Sequence, residues 1–306
     1  MPTIRQYEYF VTLAHTLHFG RAAEKLNVAQ PALSAQLRAM EGEMGVTLFS
    51  RNRRNVVLSP AGALLLPEAE SLLRQYKRTK ELGRQVAVGE IGSLRLAYVG
   101  SAALGGVMAK IIHEFRNSAP NVELEFFEMD MEQQLDEIAR GRLDGGFIRL
   151  PLPIGQTNFE QTVIQSEDIV VALRTDHPLA AETEVQPAAL KDERFILTHL
   201  KPHMGFAANI HMVCAEAGFM PTEAHRARQF SIIVNMVAAG LGIAILPGSM
   251  RRFDFPEVVY LPLAGVDLCS EVALIAMPEP ASPAARNFLE LAKSWKLYDK
   301  TQKGNS

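Results

Sequence analysis

The apolar period along this chain changes once, near residues 88–93, and that change limits the chain to at least two separately built modules. Ahead of it, apolar residues recur every three or four positions, as on one face of a helix. Behind it, short apolar runs take turns with helical segments, as in an α/β sheet. At 306 residues the chain is long enough to give each module a core of its own.

In the first module, Ile4, Tyr7, Phe10, Val11, Ala14 and Leu17 share one face, which predicts a helix over 4–19 broken by Gly20. A second helix is predicted over 21–26, stopping near Asn27, a residue that tolerates a left-handed turn. A third starts at Gln30 and Pro31, where the missing proline N–H costs nothing. It carries Leu33, Leu37, Met40 and Met44 and ends at Gly45. "TLF" and "NVVLS" read as short strands joined by the polar turn "SRNRRN". Ser59 then caps a helix with Pro60 in its first turn, running to about residue 88 and bent at Pro67. Its stripe of Leu65, Ala69, Leu72, Tyr76, Thr79, Gly83 and Val86 steps by four and three, which suits pairing with a twin copy. The alternative is a helix resting on its own domain.

The turn at "NVAQP" joins two short helices whose Ala22 and Ala23 permit close crossing. Such a pair can lay its second helix in a DNA major groove, with polar residues near that helix's start facing base edges. Gln30, Ser34 and Gln36 are in that position, with Arg38 beyond them. Arg51, Arg53 and Arg54 crowd the adjacent hairpin tip, where they would meet phosphates or the minor groove. Residues 1–90 hold 12 Lys/Arg against 8 Asp/Glu, and the remainder 19 against 26, so the basic end faces the prospective polyanion. The bland alternative is that these polar residues only solvate a surface.

The segment "LHFGRAAEKLNVAQPALSAQLRAMEGEMGVTLFSRNRRNVVLSPAG" resembles the N-terminal winged helix-turn-helix of LysR-type transcriptional regulators. The resemblance implies a mainly α winged helix-turn-helix domain over 1–60 and a linker and dimerisation helix with hinge over 61–90. It further implies an α/β effector domain of periplasmic-binding-protein type over 91–306. Its two subdomains would be about 91–163 plus 268–300, and 164–267. It also implies a cytoplasmic homotetramer, a dimer of dimers, that binds promoter DNA and a small-molecule effector and touches RNA polymerase. Gln30, Pro31 and Ser34 fall where the family contacts bases or groove walls; Leu65, Ala69, Leu72 and Tyr76 fall on the dimerisation face. One departure stands out: many relatives have arginine after the serine, and this chain has Ala35. A guanine-reading contact worth about 1–3 kcal/mol is missing there.

For the effector, "VGSAALGG" places Ser101 and Ala102 after the first strand, at a helix N-terminus suited to an anion. Arg149 ends the strand "LDGGFIR" and needs a partner, either a ligand carboxylate or a protein Asp or Glu. The combination is similar to the LysR-type subgroup controlling degradation of aromatic compounds, whose serine and arginine here bind carboxylate. That resemblance implies an anionic effector, a carboxylate or aromatic acid. The alternatives are an amino acid or other polar metabolite or, at the level of class, a small-molecule-binding protein or enzyme of α/β fold. A second departure weakens the likeness: relatives often carry paired threonines where this chain has Asp130 and Met131, and Asp130, facing the cleft, would repel an anion or favour a cationic or hydroxyl-rich ligand. The resemblance further implies a ligand-facing segment at His199, Gly205 and Phe206, where Phe206 either stacks on a planar ligand or packs in the core; Phe230, Ser231 and Pro247 are further candidates.

Other classes find little support. The longest apolar runs are far too short to span a bilayer, and the N-terminus has no secretory pattern, so no membrane partner is expected. Cys214 and Cys269 lack basic neighbours and read as buried apolar thiols. His199, His203 and His211 have no completing ligand, so neither metal nor cofactor is expected. No nucleophile-elbow, kinase or phosphate-loop motif appears, which argues against an enzyme.

Overall fold

The computed structural model describes residues 1–52 and 55–302, with side chains at 51, 52, 55 and 296–302 left out. It divides into two compact units, 1–85 and 86–306.

The first unit is a three-helix cluster with a β-hairpin. Helix α1 (Ile4–Thr16) is opened by a reciprocal cap: Thr3 Oγ1 accepts from the Gln6 amide, and Gln6 Oε1 accepts from the Thr3 amide. It ends earlier than its apolar face predicts. Leu17 adopts the left-handed conformation (φ 48°), and His18 Nδ1 accepts from the Arg21 amide to start α2 (Phe19–Lys25). Gly20, expected to be the breaker, lies inside α2; the local cap at His18 outweighs its weak helix propensity. Asn27 (φ 51°) turns the chain into α3 (Gln30–Met44), which Gly45 terminates.

Strands β1 (Phe49–Asn52) and β2 (Asn55–Leu58) form the antiparallel wing. Glu41 fastens it to α3 by accepting from the amides of Leu48 (2.8 Å) and Phe49 (3.2 Å). Helix α4 (Pro60–Ala87) runs unbroken through Pro67. It leans so closely on the wing that a methyl group at Gly62 would stand 2.2 Å from the Leu48 carbonyl oxygen. Phe10, Leu13, Ala22, Ala23, Leu33, Leu37 and Leu48 fill the core, and the Phe10 and Phe49 rings meet edge-on.

The second unit contains two lobes. One carries a five-stranded mixed sheet, β3 (Ile91–Tyr98), β4 (Asn121–Glu128), β5 (Gly145–Arg149), β6 (Glu160–Glu167) and β12 (Ser270–Ala276), ordered β4-β3-β5-β12-β6. Strand β3 is parallel to β4 and β5, while β12 runs antiparallel to β5 and β6. Helices α5 (Gly100–Ala103), α6 (Val107–Ser118), α7 (Met131–Ala139) and α10 (Pro283–Gln302) belong to this lobe. The other lobe holds the antiparallel sheet β10-β7-β11, made of β7 (Ile169–Arg174), β10 (Ala244–Pro247) and β11 (Val258–Pro262). It also holds the parallel pair β8 (Arg194–Thr198) and β9 (Thr222–Ala227), with helices α8 (Gly205–Glu216) and α9 (Phe230–Ala238). The chain crosses between lobes twice, from β6 to β7 and from β11 to β12.

The apolar strands match their sequence expectation because β5, β7 and β10 are buried along their length. Strand β6 was not anticipated. "EQTVIQSE" is mostly polar, since only Thr162 and Ile164 turn inward from this edge of the sheet. Helix α5 is also shorter than expected, a single turn too brief to support the anion site drawn from a helix N-terminus.

Candidate functional site

Two groups of residues gather where the sequence predicts recognition. On α3, Leu33, Leu37 and Met40 face the core, which turns Gln30, Pro31, Ala35, Gln36 and Arg38 to solvent with Ser34 half-buried among them. Arg38 folds back on Ser34, its Nη2 donating to Ser34 Oγ at 3.4 Å and its Nε to the Ser34 carbonyl at 3.3 Å. From α1, the buried Gln6 donates Nε2 to the Gln36 carbonyl at 3.4 Å and braces the helix from behind. Arg51 occupies β1 opposite Val56, whereas Arg53 and Arg54 lie outside the described residues.

The stripe on α4 divides. Leu65 and Ala69, expected to pair with a twin helix, are taken up by the first unit's own core. The early turns of α4 pack on the wing, as the alternative reading required. Leu72, Tyr76, Leu82 and Val86 remain exposed.

The second group lines a cleft of about 520 Å³, within the usual range for small-molecule sites. Its walls are loops at the carboxyl ends of strands, where open α/β sheets place ligands. They comprise 99–101 after β3, 128–131 after β4, Arg149 ending β5, 198–200 after β8, and 228–231 between β9 and α9. The first turn of α8 adds Gly205 and Phe206. Gly205 takes φ +49° so that its amide can donate to the Pro151 carbonyl at 2.9 Å. The Phe206 and Phe230 rings meet edge to face, centroids 5.4 Å apart.

Of the expected ligand-facing residues, Ser101, Asp130, Met131, Arg149, His199, Gly205, Phe206, Phe230 and Ser231 line this cleft. Ala102 and Pro247 do not. Ala102 is fully buried in the core beneath β3, and Pro247 ends β10 paired with Ile169. Glu128, Thr198, Arg228 and Phe253 line it unanticipated. The signal for the first three was their place at or just beyond a strand's carboxyl end.

Arg149 is the charge-bearing centre of the wall. Its Nη1 donates to Glu167 Oε1 (2.8 Å) and Ser270 Oγ (2.7 Å), and its Nη2 to the Ser101 carbonyl (2.9 Å). Burial pulls the guanidinium down from its ordinary pKa, opposed by the Glu167 charge. Of the two partners that the sequence leaves open for Arg149, the structure supplies the protein carboxylate, and the strand that delivers Glu167 is the one the sequence concealed. Its Nε, however, is buried without a hydrogen-bond partner among the described residues, as is Thr198 Oγ1.

Asp130 does face the cleft, but not as a bare charge. Its Oδ2 accepts from Arg228 Nη1 at 2.9 Å and its Oδ1 lies 3.4 Å from His199 Nε2. Glu132 and Lys201, 3.0 Å apart, form a further pair between the same segments. Together these ion pairs fasten the start of α7 to the ends of β8 and β9.

Comparison with known proteins agrees with this architecture. Residues 4–63 match the sequence model of the bacterial regulatory helix-turn-helix protein, lysR family, and residues 87–296 match the LysR substrate binding domain. The Hca operon transcriptional activator HcaR of Escherichia coli is 33% identical over 291 residues, covering 95% of this chain and 97% of that protein. The regulator BenM of Acinetobacter baylyi is 30% identical over 298 residues, covering 97% and 94%. The crystal structure of full-length CbnR bound to its target DNA is similar with a TM-score of 0.78, at 24% identity and covering 96% of this chain and 99% of that one. With full-length BenM the TM-score is 0.60 at 28% identity, covering 97% and 98%. Its helix-turn-helix, its two-lobed α/β domain and these relatives make the chain a member of the LysR family, a DNA-binding transcriptional regulator with an effector-binding domain and not an enzyme.

Proposed function

We propose that the protein reads promoter DNA with the exposed face of α3, through Gln30, Pro31, Ser34, Gln36 and Arg38. The wing arginines Arg51, Arg53 and Arg54 then hold phosphates or the minor groove. The observation that supports this most is the brace from Gln6 to the Gln36 carbonyl, which keeps that face outward. Ala35 leaves one position of the half-site weakly specified. Leu72 and Tyr76 carry dimerisation through the exposed stretch of α4, and two dimers associate into a tetramer that contacts RNA polymerase at the promoter. Work on DNA places the protein in the cytoplasm.

The cleft is the effector site, between a lobe of about 91–163 plus 268–300 and one of about 164–267. Its ligand is a small carboxylate on an apolar or aromatic frame. Leu104 and Phe253, half-buried, offer apolar surface, and Thr198 and Arg149 offer unused hydrogen-bonding capacity. Selection of genomic fragments by the purified protein, with and without added carboxylates, tests the whole reading. Recovered fragments should share a two-fold symmetric motif, and a ligand should change their retention; recovery of random fragments would refute it.

A further inference from the structure

The charges around the cleft do not balance in the way a site for an anion requires. Arg149 is matched by Glu167, and Arg228 by Asp130, which His199 also approaches. Lys201, just beyond the rim, is matched by Glu132. Each of these cations already has a carboxylate from the protein itself. The remaining charged group on the cleft wall is Glu128, whose carboxylate has no hydrogen bond or ion pair among the described residues. It lies across Gly100, where a methyl group would stand 2.9 Å from Glu128 Oε1, so the glycine leaves that carboxylate its space beside Ser101. An acid seated at the Ser101 loop would meet a like charge that nothing offsets; a protonated nitrogen there would meet a partner.

A second observation points to a ligand with an acceptor as well. Arg149 and Thr198 line the cleft at 2% and 5% exposure, and each keeps a polar atom without a partner, Nε and Oγ1. Nε can only donate, so whatever satisfies it brings a lone pair. The cleft lining is apolar at the half-buried Leu104 and Phe253, with the Phe206 and Phe230 rings buried behind its surface.

We propose that the effector is a net-neutral zwitterion, an amino acid with an apolar or aromatic side chain, whose ammonium group pairs with Glu128. Its carboxylate turns toward Thr198 and Arg149, and its side chain lies along Leu104 and Phe253. This rests on the cleft being the effector site, and it narrows the carboxylate class to members that carry their own positive charge.

Thermal shift of the full chain with matched pairs tests it: leucine against 4-methylpentanoate, phenylalanine against 3-phenylpropionate, and tryptophan against indole-3-propionate. At least one amino acid should raise Tm while its desamino partner does not. Glu128→Gln, an isosteric change at an exposed position, should weaken that amino acid's binding about tenfold or more. A desamino acid that shifts Tm as much as its amino acid, no shift with any amino acid, or an unchanged response in Glu128→Gln would each overturn the proposal. Ser231→Trp, which fills the cleft from its rim, separates the two readings. If a desamino acid binds and this variant abolishes the shift, the cleft stands and the ammonium assignment falls. If the shift persists in the variant, the cleft assignment itself fails.

Discussion

Arg149 Nη1 stands 2.8 Å from Glu167 Oε1, and the two side chains are only 3% and 9% exposed. The pair joins the end of β5 to the last residue of β6, next to the first crossing between lobes. Glu167 Oε2 also accepts from the Ser249 amide, which belongs to the other lobe. One carboxylate thus compensates the buried guanidinium and ties the lobes together.

Glu167→Gln should destabilise the second unit by about 3–5 kcal/mol, because it leaves a buried guanidinium uncompensated. The double variant Arg149→Met with Glu167→Leu should recover most of that loss, since neither charge then remains to be desolvated. Urea unfolding followed by circular dichroism distinguishes the outcomes; equal losses in the single and double variants would show that the ion pair is not the cause.

Affinity for promoter DNA should fall steeply as salt rises. Arg38→Ala should lower both the affinity and the slope of log K against log salt, the slope by about one if Arg38 reaches a phosphate. Ala35→Arg should instead change which base is preferred at one position, by about 1–3 kcal/mol. Fluorescence anisotropy on an operator and its single-base variants measures both. A slope untouched by Arg38→Ala would remove that residue from the phosphate contacts.

Tyr76→Asp, on the exposed part of α4, should weaken self-association by about tenfold or more, by placing a charge in an apolar seam. Glu81 and Arg84 form an exposed pair lower on the same helix, so Glu81→Ala serves as a control expected to change little. Sedimentation velocity reads the association; an unchanged dimer in Tyr76→Asp would assign pairing to another surface.

Cys214 is fully buried, and burial pushes its thiol up to about 12 from an ordinary 9.0. The raised value means that the folded state favours the neutral thiol. Its contribution is whole below about pH 9 and drains away as pH rises toward about 12. Stability should therefore fall with alkaline pH more steeply in the native chain than in Cys214→Ala, as urea midpoints across that range would reveal. Cys269 is exposed, not buried as the sequence suggests, so in native protein at neutral pH a thiol reagent should modify it quickly and Cys214 only on unfolding.

Much of the first unit was legible along the chain. The Ala22–Ala23 crossing, the Asn27 turn, Pro31 in the first turn of α3 and the Gly45 stop are local signals, and local signals act through neighbours a few residues away. The early end of α1 was not legible. It depends on Leu17 accepting a left-handed conformation so that His18 can cap α2, a choice settled by how the two helices cross. In the second unit the fully buried strands declared themselves by composition, whereas β6 did not. An edge strand with two inward residues draws its stability from pairing with β12, 100 residues away in sequence.

The sequence by itself determined the two modules, helix α3 with its polar outer face, and most of the loops that line the cleft. Those follow from periodicity, capping and the rule that ligands meet strand ends. Only the tertiary structure decided which charges remain unmatched. Arg149 was open to a ligand or a protein carboxylate and Asp130 had no partner in view, yet Glu167 and Arg228 neutralise them from distant segments, and Glu128 has no charged partner among the described residues. Charge compensation acts through space over a few ångströms, and no spacing along the chain encodes it.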